Sequence, residues 1–255
     1  MNHAELTKRL RAAGCVFAEE EADRLLAAAP DTEALESMVA RRTAGVPLEH
    51  VLGFADFAGV RLEIAEGVFV PRHRTELLTT TARALLHDGA TVLDLCCGTG
   101  ALGLVAVRGF AGVRLVATDI DPRAVDCARR NLSAVTDEVF AGDLFSAVPP
   151  ELRGTVDVLL ANVPYVPTAE IARLPEEFRV HEARAALDGG TDGLDVLRRV
   201  AAEAPHWLAP GGALLTEAAT EQLGAAHAAL RAGGLDPRTV TDEETETNVV
   251  VASRP

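Results

Sequence analysis

Hydrophobic residues recur at helical spacing near the start of the chain. Leu6 and Leu10 share one helical face, and two further sets of apolar residues repeat that spacing as far as Val39. Asp31 follows a proline between the last two sets, where it is placed to act as a helix N-cap. Short amphipathic helices cannot bury their apolar faces alone. The pattern therefore predicts a small helical bundle over residues 1–50.

Alternating apolar and polar residues replace the helical spacing after the bundle. The alternation runs from Val60 to Ile64 and resumes at Val68, after the pair Glu66-Gly67. Period-two alternation on both sides of a glycine-containing turn is typical of a β-hairpin. We predict a hairpin turning at Glu66-Gly67, within a linker of residues 51–75.

The remaining 76–255 segment predicts a different architecture. Apolar strand-like runs alternate with helical segments in this part of the chain. The predicted strands are Thr91–Leu95, Arg114–Thr118, Val139–Gly142, Val156–Ala161 and Ala213–Thr216. This alternation is typical of βαβ units and a parallel sheet. Two further strands, Leu235–Val240 and Val249–Ala252, have no helix between them, which predicts an antiparallel pair at one sheet edge. The predicted fold class is α/β, with a doubly wound, mostly parallel sheet, a C-terminal antiparallel hairpin and a small N-terminal helical domain.

Charge and composition narrow the class of partner. The chain has 255 residues, with 24 Lys plus Arg against 38 Asp plus Glu and a formal net charge of −14. Such a surface repels polyanions, so nucleic acid is not expected as a direct partner. No apolar run approaches the roughly 20 residues that span a bilayer, and the chain start lacks the apolar core of a secretory signal. We expect a cytoplasmic protein with no membrane partner.

The four cysteines do not indicate a cross-link or a metal centre. Cys96 and Cys97 are adjacent, while Cys15 and Cys127 stand alone. This spacing fits neither a disulfide framework nor a set of zinc ligands. We expect reduced thiols and no metal site.

A glycine-rich loop follows the first strand of the predicted sheet. Gly98, Gly100 and Gly103 match G-x-G-x-x-G before a helical segment, and Asp119 ends the next strand about 20 residues further on. Glycines let the backbone approach a ligand closely. A carboxylate placed like that of Asp119 accepts hydrogen bonds from ribose hydroxyls. The pattern predicts a ligand that contains adenosine.

Two carboxylates distinguish between adenosine cofactors. Asp94 precedes the loop, where it would repel the pyrophosphate of NAD but attract the cationic amino group of a methionine moiety. Asp143 ends the third strand at the ligand-binding edge of the sheet and is placed to accept from the adenine amino group, although Gly-Asp is also a common turn. S-adenosylmethionine is favoured over NAD, with these candidate cofactor contacts: Asp94, Cys96, Gly98, Gly100, Asp119, Ile120, Gly142, Asp143 and Asn162.

The fourth strand ends in the tetrapeptide Asn162-Val163-Pro164-Tyr165. At this point the chain resembles class I methyltransferases of the HemK/PrmC type, which methylate the side-chain amide of a glutamine in peptide release factors and carry Asn-Pro-Pro-Tyr here. The resemblance extends along most of the chain, in the family's order, through PLEHVLGFADFAGV, FVPRHRTELL, VLDLCCGTGALG, ATDIDPRAV, AGDLF, ANVPY, ALDGGTDGLDVLRRV and LAPGGALLTE.

The resemblance implies an N-methyltransferase whose catalytic residues are Asn162, Val163, Pro164 and Tyr165. The Asn162 side-chain oxygen and the Val163 carbonyl would accept from the two N–H bonds of the substrate amide, with Pro164 holding the loop and Tyr165 beside the planar group. An amide nitrogen is a poor nucleophile because its lone pair is delocalised, so the rate would come from alignment and proximity. The implied cofactor is S-adenosylmethionine, and the implied partner is a release-factor-like protein docked by the helical bundle.

Three departures from the family pattern bear on the identity of the methyl acceptor. Val163 replaces the first proline of the tetrapeptide, Cys96 replaces the first glycine of the loop, and Arg74 stands where the family has an acid. An N-methyltransferase acting on a small molecule or a peptide natural product therefore remains an alternative. A binding protein without turnover and an NAD oxidoreductase are further alternatives, which Asn162 and Asp94 respectively disfavour.

Three other segments carry smaller expectations. His73 and Arg74 are expected in a solvated loop with no catalytic role, followed by Thr75 as the N-cap of a helix, with contact to a carboxylate or to a peptide substrate as the alternative. Cys96 is expected to pack as a small apolar residue. The segment Asp188-Gly189-Gly190 is expected to border the active site.

Overall fold

The computed structural model describes residues 1–255, and its first part is helical. The helices are α1 (His3–Ala12), α2 (Ala18–Ala28), α3 (Thr32–Thr43) and α4 (Leu48–Leu52). They enclose a core of ten buried apolar residues that includes Leu6 and Leu10. Asp31 caps α3, since its Oδ1 accepts from the Ala34 N–H at 2.8 Å. The three predicted helices and the cap are confirmed, and α4 is a fourth helix that the pattern did not predict.

A two-stranded hairpin follows, but its turn differs from the prediction. Strands β1 (Phe54–Phe57) and β2 (Val60–Glu63) pair antiparallel around Ala58 and Gly59. Both turn residues have positive φ, 47° and 72°, as a two-residue turn that matches the strand twist requires. The predicted turn at Glu66-Gly67 was wrong, because alternation identifies strands but does not locate the turn between them.

Residues 64–70, which follow this hairpin, form no regular strand. Val68 and Val70 are buried, in a small apolar cluster that also contains Ile64 and Cys127. Their alternation therefore reflects burial of irregular backbone against a helix of the main sheet.

The main sheet has seven strands, whose bounds are β3 (Thr91–Leu95), β4 (Arg114–Asp119), β5 (Val139–Ala141), β6 (Val156–Ala161), β7 (Leu208–Glu217), β8 (Asp236–Asp242) and β9 (Thr247–Ser253). Their spatial order is β5-β4-β3-β6-β7-β9-β8. Strands β3 to β7 are parallel, and β9 pairs antiparallel with both β7 and β8. The predicted fold class is confirmed, including the antiparallel hairpin at one edge.

Helices cover both faces of this sheet. They are α5 (Glu76–Arg83), α6 (Ala101–Val107), α7 (Pro122–Leu132), α9 (Asp195–Glu203) and α10 (Leu223–Ala232). A further short helix, α8 (Glu176–His181), has no buried residue and does not contribute to either core. Successive residues of a strand point to opposite faces. Val92 accordingly packs in the core on the side of α5, α6 and α7, and Leu93 packs in the core on the side of α9 and α10. None of the helices combines the length and apolarity needed to cross a bilayer.

The strand order reverses direction between β3 and β6. From β3 the chain moves outward through β4 and β5 and then returns to β6 on the other side of β3. Loops at the carboxyl ends of strands diverge at such a switch point and leave a crevice there. The fold therefore places the glycine-rich loop after β3 beside the tetrapeptide after β6.

Candidate active site

A cavity of about 620 Å³ lies at the carboxyl ends of β3, β4 and β6. Eight predicted site residues line it: Cys96, Gly98, Asp119, Ile120, Asn162, Val163, Pro164 and Tyr165. Residues from a segment that we call the cover segment, residues 166–187, close part of the opposite wall. The structure thus brings the predicted cofactor loop and the catalytic tetrapeptide to one cavity.

The loop after β3 depends on left-handed backbone. Cys96 has φ 55°, a conformation that glycine adopts without strain and that costs an L-residue roughly 1–2 kcal/mol. The Cys96 side chain is partly buried against the core on the α9 and α10 side, as expected for a small packing residue. Burial raises the pKa of its thiol, so the group is protonated at neutral pH and is a poor nucleophile.

Asp119 joins two loops at the end of β4. Its Oδ2 accepts from the Gly98 N–H and its Oδ1 from the Asp121 N–H, both at 2.9 Å. Burial raises the pKa of this carboxyl, against the opposing effect of the backbone donors. Each carboxylate oxygen has a second lone pair for a further donor. The neighbouring Ile120 is 57% exposed and lines the cavity, so it offers an apolar surface to a planar ring.

Asp94 lies behind the glycine loop and does not line the cavity. It is fully buried between β3 and α6, where its Oδ2 accepts from the Gly103 N–H at 2.9 Å. Its Oδ1 is buried with no hydrogen-bond partner. Burial raises the pKa of this carboxyl to about 7. A contact between Asp94 and the cofactor stays a prediction.

Three other predicted cofactor contacts also lie outside the cavity wall. Gly100 begins α6 with φ 78°, and a Cβ there would lie 3.0 Å from the Leu132 side chain. Gly142 packs closely beneath the short helix that follows it. Asp143 forms an ion pair with Arg199 at 2.7 Å. The structure shows local packing roles for these residues, and cofactor contacts from them stay predictions.

The tetrapeptide after β6 presents one unpaired acceptor. Asn162 Oδ1 is buried without a hydrogen-bond partner, whereas Val163 packs into the core. The Tyr165 carbonyl accepts from Gln222 Nε2 at 2.9 Å, which fixes the end of the loop. Buried acceptors rarely lack a partner, so the Asn162 oxygen is available to a ligand in the cavity.

The segment Asp188-Gly189-Gly190 borders the tetrapeptide, as expected. A Cβ at Gly189 would lie 2.7 Å from the Pro164 carbonyl oxygen. The Gly189 N–H donates to the Val166 carbonyl at 2.8 Å. Only glycine allows the two segments to approach this closely.

Sequence reasoning missed the contribution of the segment before α5. His73 and Arg74 are exposed, as expected. The Arg74 side chain also lines the cavity and donates from Nη2 to the Tyr165 hydroxyl at 2.5 Å, a contact that the sequence did not predict. Thr75 occupies the N-cap position of α5, as predicted, but its side chain makes no capping bond and its hydroxyl is buried without a partner. The one available signal was the basic residue at position 74.

The cover segment is held down through Arg72. This guanidinium lies over the Phe178 ring at 4.0 Å and over the Phe69 ring at 4.7 Å. It also donates to both carboxylate oxygens of buried Glu182, at 2.6 and 2.7 Å. Both bonds come from one guanidinium nitrogen, Nη2, and they are charge-assisted, which makes them stronger than bonds between neutral groups. Arg72 therefore links the cover segment to the chain that precedes α5.

The donors and acceptors of the cavity fit S-adenosylmethionine. The Asp119 oxygens have lone pairs that could accept from ribose hydroxyls, Ile120 offers an apolar surface that could cover an adenine, and Asn162, which lines the same cavity, has an unpaired Oδ1. A family model described as "Methyltransferase small domain" matches residues 65–191. A crystal structure of a methyltransferase from Pyrococcus furiosus has the same fold, with a TM-score of 0.57 at 17% identity over 88% of this chain and 99% of that one. Fold and site together define an S-adenosylmethionine-dependent methyltransferase.

Two relatives narrow the class to a family. The release factor glutamine methyltransferase of Mycolicibacterium smegmatis is 41% identical over 193 residues, which cover 74% of this chain and 68% of that protein. The 4-amino-L-phenylalanine/4-methylamino-L-phenylalanine methyltransferase of Streptomyces pristinaespiralis is 36% identical over 235 residues, which cover 89% of this chain and 80% of that protein. The chain belongs to the HemK/PrmC-type methyltransferase family, and its cofactor is S-adenosylmethionine.

Proposed function

We propose that this enzyme methylates the side-chain amide nitrogen of a glutamine in a protein, with a peptide release factor as the acceptor. The observation that carries the proposal is the buried, unpaired Oδ1 of Asn162 in the cavity wall. An acceptor without a partner at this place is suited to an N–H donor such as a primary amide. The name of the Mycolicibacterium smegmatis relative supports the same chemistry.

The residues of the tetrapeptide align the nucleophile. Asn162 Oδ1 accepts from one N–H of the substrate amide and the Val163 carbonyl accepts from the other, so the nitrogen points at the methyl group. When bound, S-adenosylmethionine would supply that methyl group from a positively charged sulfur, and the sulfur would keep the electron pair of the broken bond. The nitrogen becomes acidic on methylation and loses one proton to solvent. Tyr165, fixed by Arg74 and Gln222, packs beside the planar amide.

The cofactor is held by the adjacent loops. We assign ribose binding to Asp119, adenine packing to Ile120, and close backbone approach to Cys96 and Gly98. Asp94 acts from behind the loop, where its negative charge attracts the cationic amino group. Removing water from this cavity strengthens each of these electrostatic interactions.

The N-terminal bundle, residues 1–50, serves as a docking surface for the protein acceptor, and the hairpin linker connects it to the catalytic domain. Val16 and Phe17 are 83% and 65% exposed, an unusual pair of apolar side chains on its surface. The bundle also contacts the cover segment, since Arg42 forms an ion pair with Glu177 at 3.1 Å. A protein that docks on the bundle is therefore close to the cavity.

Replacing both exposed residues tests this docking role. The double variant Val16→Ser, Phe17→Ser should raise KM for a protein acceptor by roughly threefold or more, since uniform binding energy is lost. KM for a short glutamine peptide and the cofactor affinity should not change. Val135→Ser, at another exposed apolar side chain, is the matched control. An equal KM for the protein acceptor in the double variant would contradict docking on this surface.

The acceptor itself is tested with purified components. The enzyme is incubated with methyl-labelled S-adenosylmethionine and a purified release factor, and tandem mass spectrometry locates the label. We expect one methyl group on a glutamine side chain and none with Asn162→Ala. Label on a lysine, an arginine or a terminus, or no label in the release factor, would contradict the proposal.

A second candidate is an aromatic primary amine in a small molecule. The Streptomyces pristinaespiralis relative aligns with 89% of this chain, and its name specifies such an acceptor. An aniline nitrogen also carries two N–H bonds and a delocalised lone pair, so Asn162 and Val163 would align it in the same way. Methylation of 4-amino-L-phenylalanine faster than of the release factor would favour this candidate.

A further inference from the structure

Arg74 is the one cation of the cavity wall that no carboxylate neutralises. Two arginines line the cavity, Arg72 and Arg74. Arg72 is paired with Glu182, whereas Arg74 forms no ion pair within 4.0 Å. The single side-chain hydrogen bond of Arg74 is the one that it donates to the Tyr165 hydroxyl. Its guanidinium therefore keeps unused donors at the cavity wall.

The neighbouring acids do not take up this charge. Glu76, two residues along the chain, accepts from the His73 ring and from the Ala58 N–H. Glu217 lies buried nearby, with its Oε1 unpaired and without a hydrogen bond to Arg74. Burial raises the pKa of Glu217 against the opposing effects of Thr75 and of the Arg74 charge, and Glu217 forms no ion pair with Arg74 within 4.0 Å. The positive charge of Arg74 thus remains available to a ligand.

The position of this charge relative to the reacting nitrogen is fixed by Tyr165. Arg74 donates to the hydroxyl of the same tetrapeptide whose Asn162 and Val163 align the nucleophile. An arginine side chain binds a carboxylate through two parallel N–H donors, and that geometry is more selective than a point charge. A carboxylate bound to Arg74 would therefore lie in the cavity that Asn162 also lines.

We propose that Arg74 determines acceptor specificity by binding a carboxylate of the acceptor molecule, close to the nitrogen that is methylated. The inference rests on the proposed methyltransferase function and adds the charge of the substrate. The carboxylate has two sources: the amino-acid carboxylate of a small acceptor, or an acidic residue that flanks the glutamine of a polypeptide.

Two pairs of acceptors separate these sources. The first pair is 4-amino-L-phenylalanine and its carboxamide, and the second is a glutamine peptide with aspartate next to the glutamine and the same peptide with asparagine. Arg74→Gln should raise KM by about tenfold or more for the carboxylate member of the preferred pair, and should change kcat far less. KM for the neutral members should change far less, because they lose only the support that Arg74 gives to Tyr165, and Arg74→Lys should restore part of the loss for the carboxylate member.

The control variant is Arg231→Gln, at an exposed arginine on α10 that lies away from the cavity and has no ion pair. It should change none of these constants. An equal rise of KM for both members of a pair in Arg74→Gln would mean that Arg74 only supports Tyr165. No rise for either carboxylate member would equally overturn the inference.

A binding measurement makes the outcome independent of turnover. Each of the four acceptors is titrated by calorimetry into the protein loaded with S-adenosylhomocysteine. The parent protein should bind one carboxylate member more tightly than its neutral partner, and Arg74→Gln should abolish that difference. If no carboxylate member binds more tightly than its partner, the inference is wrong. If the parent protein prefers a carboxylate member, Arg74→Gln abolishes that preference, and neither acceptor of the pair is methylated, the proposed function is overturned while the role of Arg74 in binding a carboxylate stands.

Discussion

In the cofactor half of the cavity, both carboxylate oxygens of Asp119 are held by backbone N–H groups, whereas in the acceptor half the Oδ1 of Asn162 is buried with no partner. The cofactor half comprises the loops after β3 and β4. The acceptor half comprises Asn162–Tyr165, Arg74 and the cover segment. In the cofactor half, the backbone donors to Asp119 follow neighbouring strands of one sheet. In the acceptor half, Arg74 donates a hydrogen bond to Tyr165, which lies 91 positions further along the chain.

The contrast indicates which features the fold supplies and which are particular to this chain. Parallel strand ends place backbone donors and an acidic residue at the sheet edge in any protein of this architecture. In the acceptor half, Asn162 Oδ1 finds no hydrogen-bond partner within the chain, and we propose that the substrate amide supplies one. Changes in the two halves should therefore have separable effects on cofactor binding and on methyl transfer.

The largest expected effect comes from Asn162→Ala. The rate of methyl transfer should fall by about two orders of magnitude or more, because the variant loses the side-chain oxygen that accepts a hydrogen bond from the substrate nitrogen and orients it. Cofactor affinity should stay within about twofold, because Asn162 acts on the nucleophile. Single-turnover rates and calorimetry measure the two quantities. Near-full turnover by this variant would make Asn162 a turn residue.

A smaller effect is expected from Asp119→Ala, in the other half. Cofactor binding should weaken by about 1.5–3 kcal/mol, as expected for lost hydrogen bonds to a charged group. Calorimetry checks this, with Asp126→Ala on the exposed face of α7 as the matched control. An unchanged dissociation constant, or comparable affinity of the parent for NAD, would remove the cofactor assignment.

The pH dependence of cofactor binding tests Asp94. The pKa of this carboxyl is about 7 in the folded protein against an ordinary 3.8, so the free protein loses stability as pH rises between these values. A cationic ligand favours the ionised form, so cofactor affinity should rise as pH rises towards about 7, by at most about tenfold per pH unit. Asp94→Asn should remove this dependence. A flat profile in the parent protein would place Asp94 outside the electrostatics of the site.

The smallest effect is expected from Val163→Pro. The role proposed for this residue belongs to its carbonyl, which survives any change of side chain. Pro164 already restricts the loop, so the turnover rate should change by no more than about twofold. A large loss of activity would show that the valine side chain, which is 2% exposed, shapes the acceptor half.

Sequence reasoning succeeded where the signal is local. The bounds of β3 and β6 agree with the prediction because buried parallel strands are continuous apolar runs. Strand β7 begins at Leu208, earlier than predicted, because Pro210-Gly211-Gly212 resembles a turn although the chain continues the strand. The hairpin was misplaced for the related reason that alternation carries no information about turn position.

The site, like the fold, was predictable where its signal is local in sequence. The glycine loop, Asp119 and the tetrapeptide are short motifs at strand ends, and the strand order of a doubly wound sheet brings them together. Arg74 carries no motif, and its place in the cavity depends on a hydrogen bond to a residue far away in sequence. Such a contact is set by tertiary packing and becomes visible only in the structure.

The central claim, that the acceptor half binds the glutamine amide of a protein, is tested most directly by one labelling measurement. The enzyme is incubated with methyl-labelled S-adenosylmethionine and a lysate of its own host, and the label is partitioned among protein, nucleic acid and small molecules. The account predicts label in protein, released by complete hydrolysis as methylamine from a glutamine side chain, and no such label with Asn162→Ala. Label confined to small molecules or to nucleic acid would contradict it.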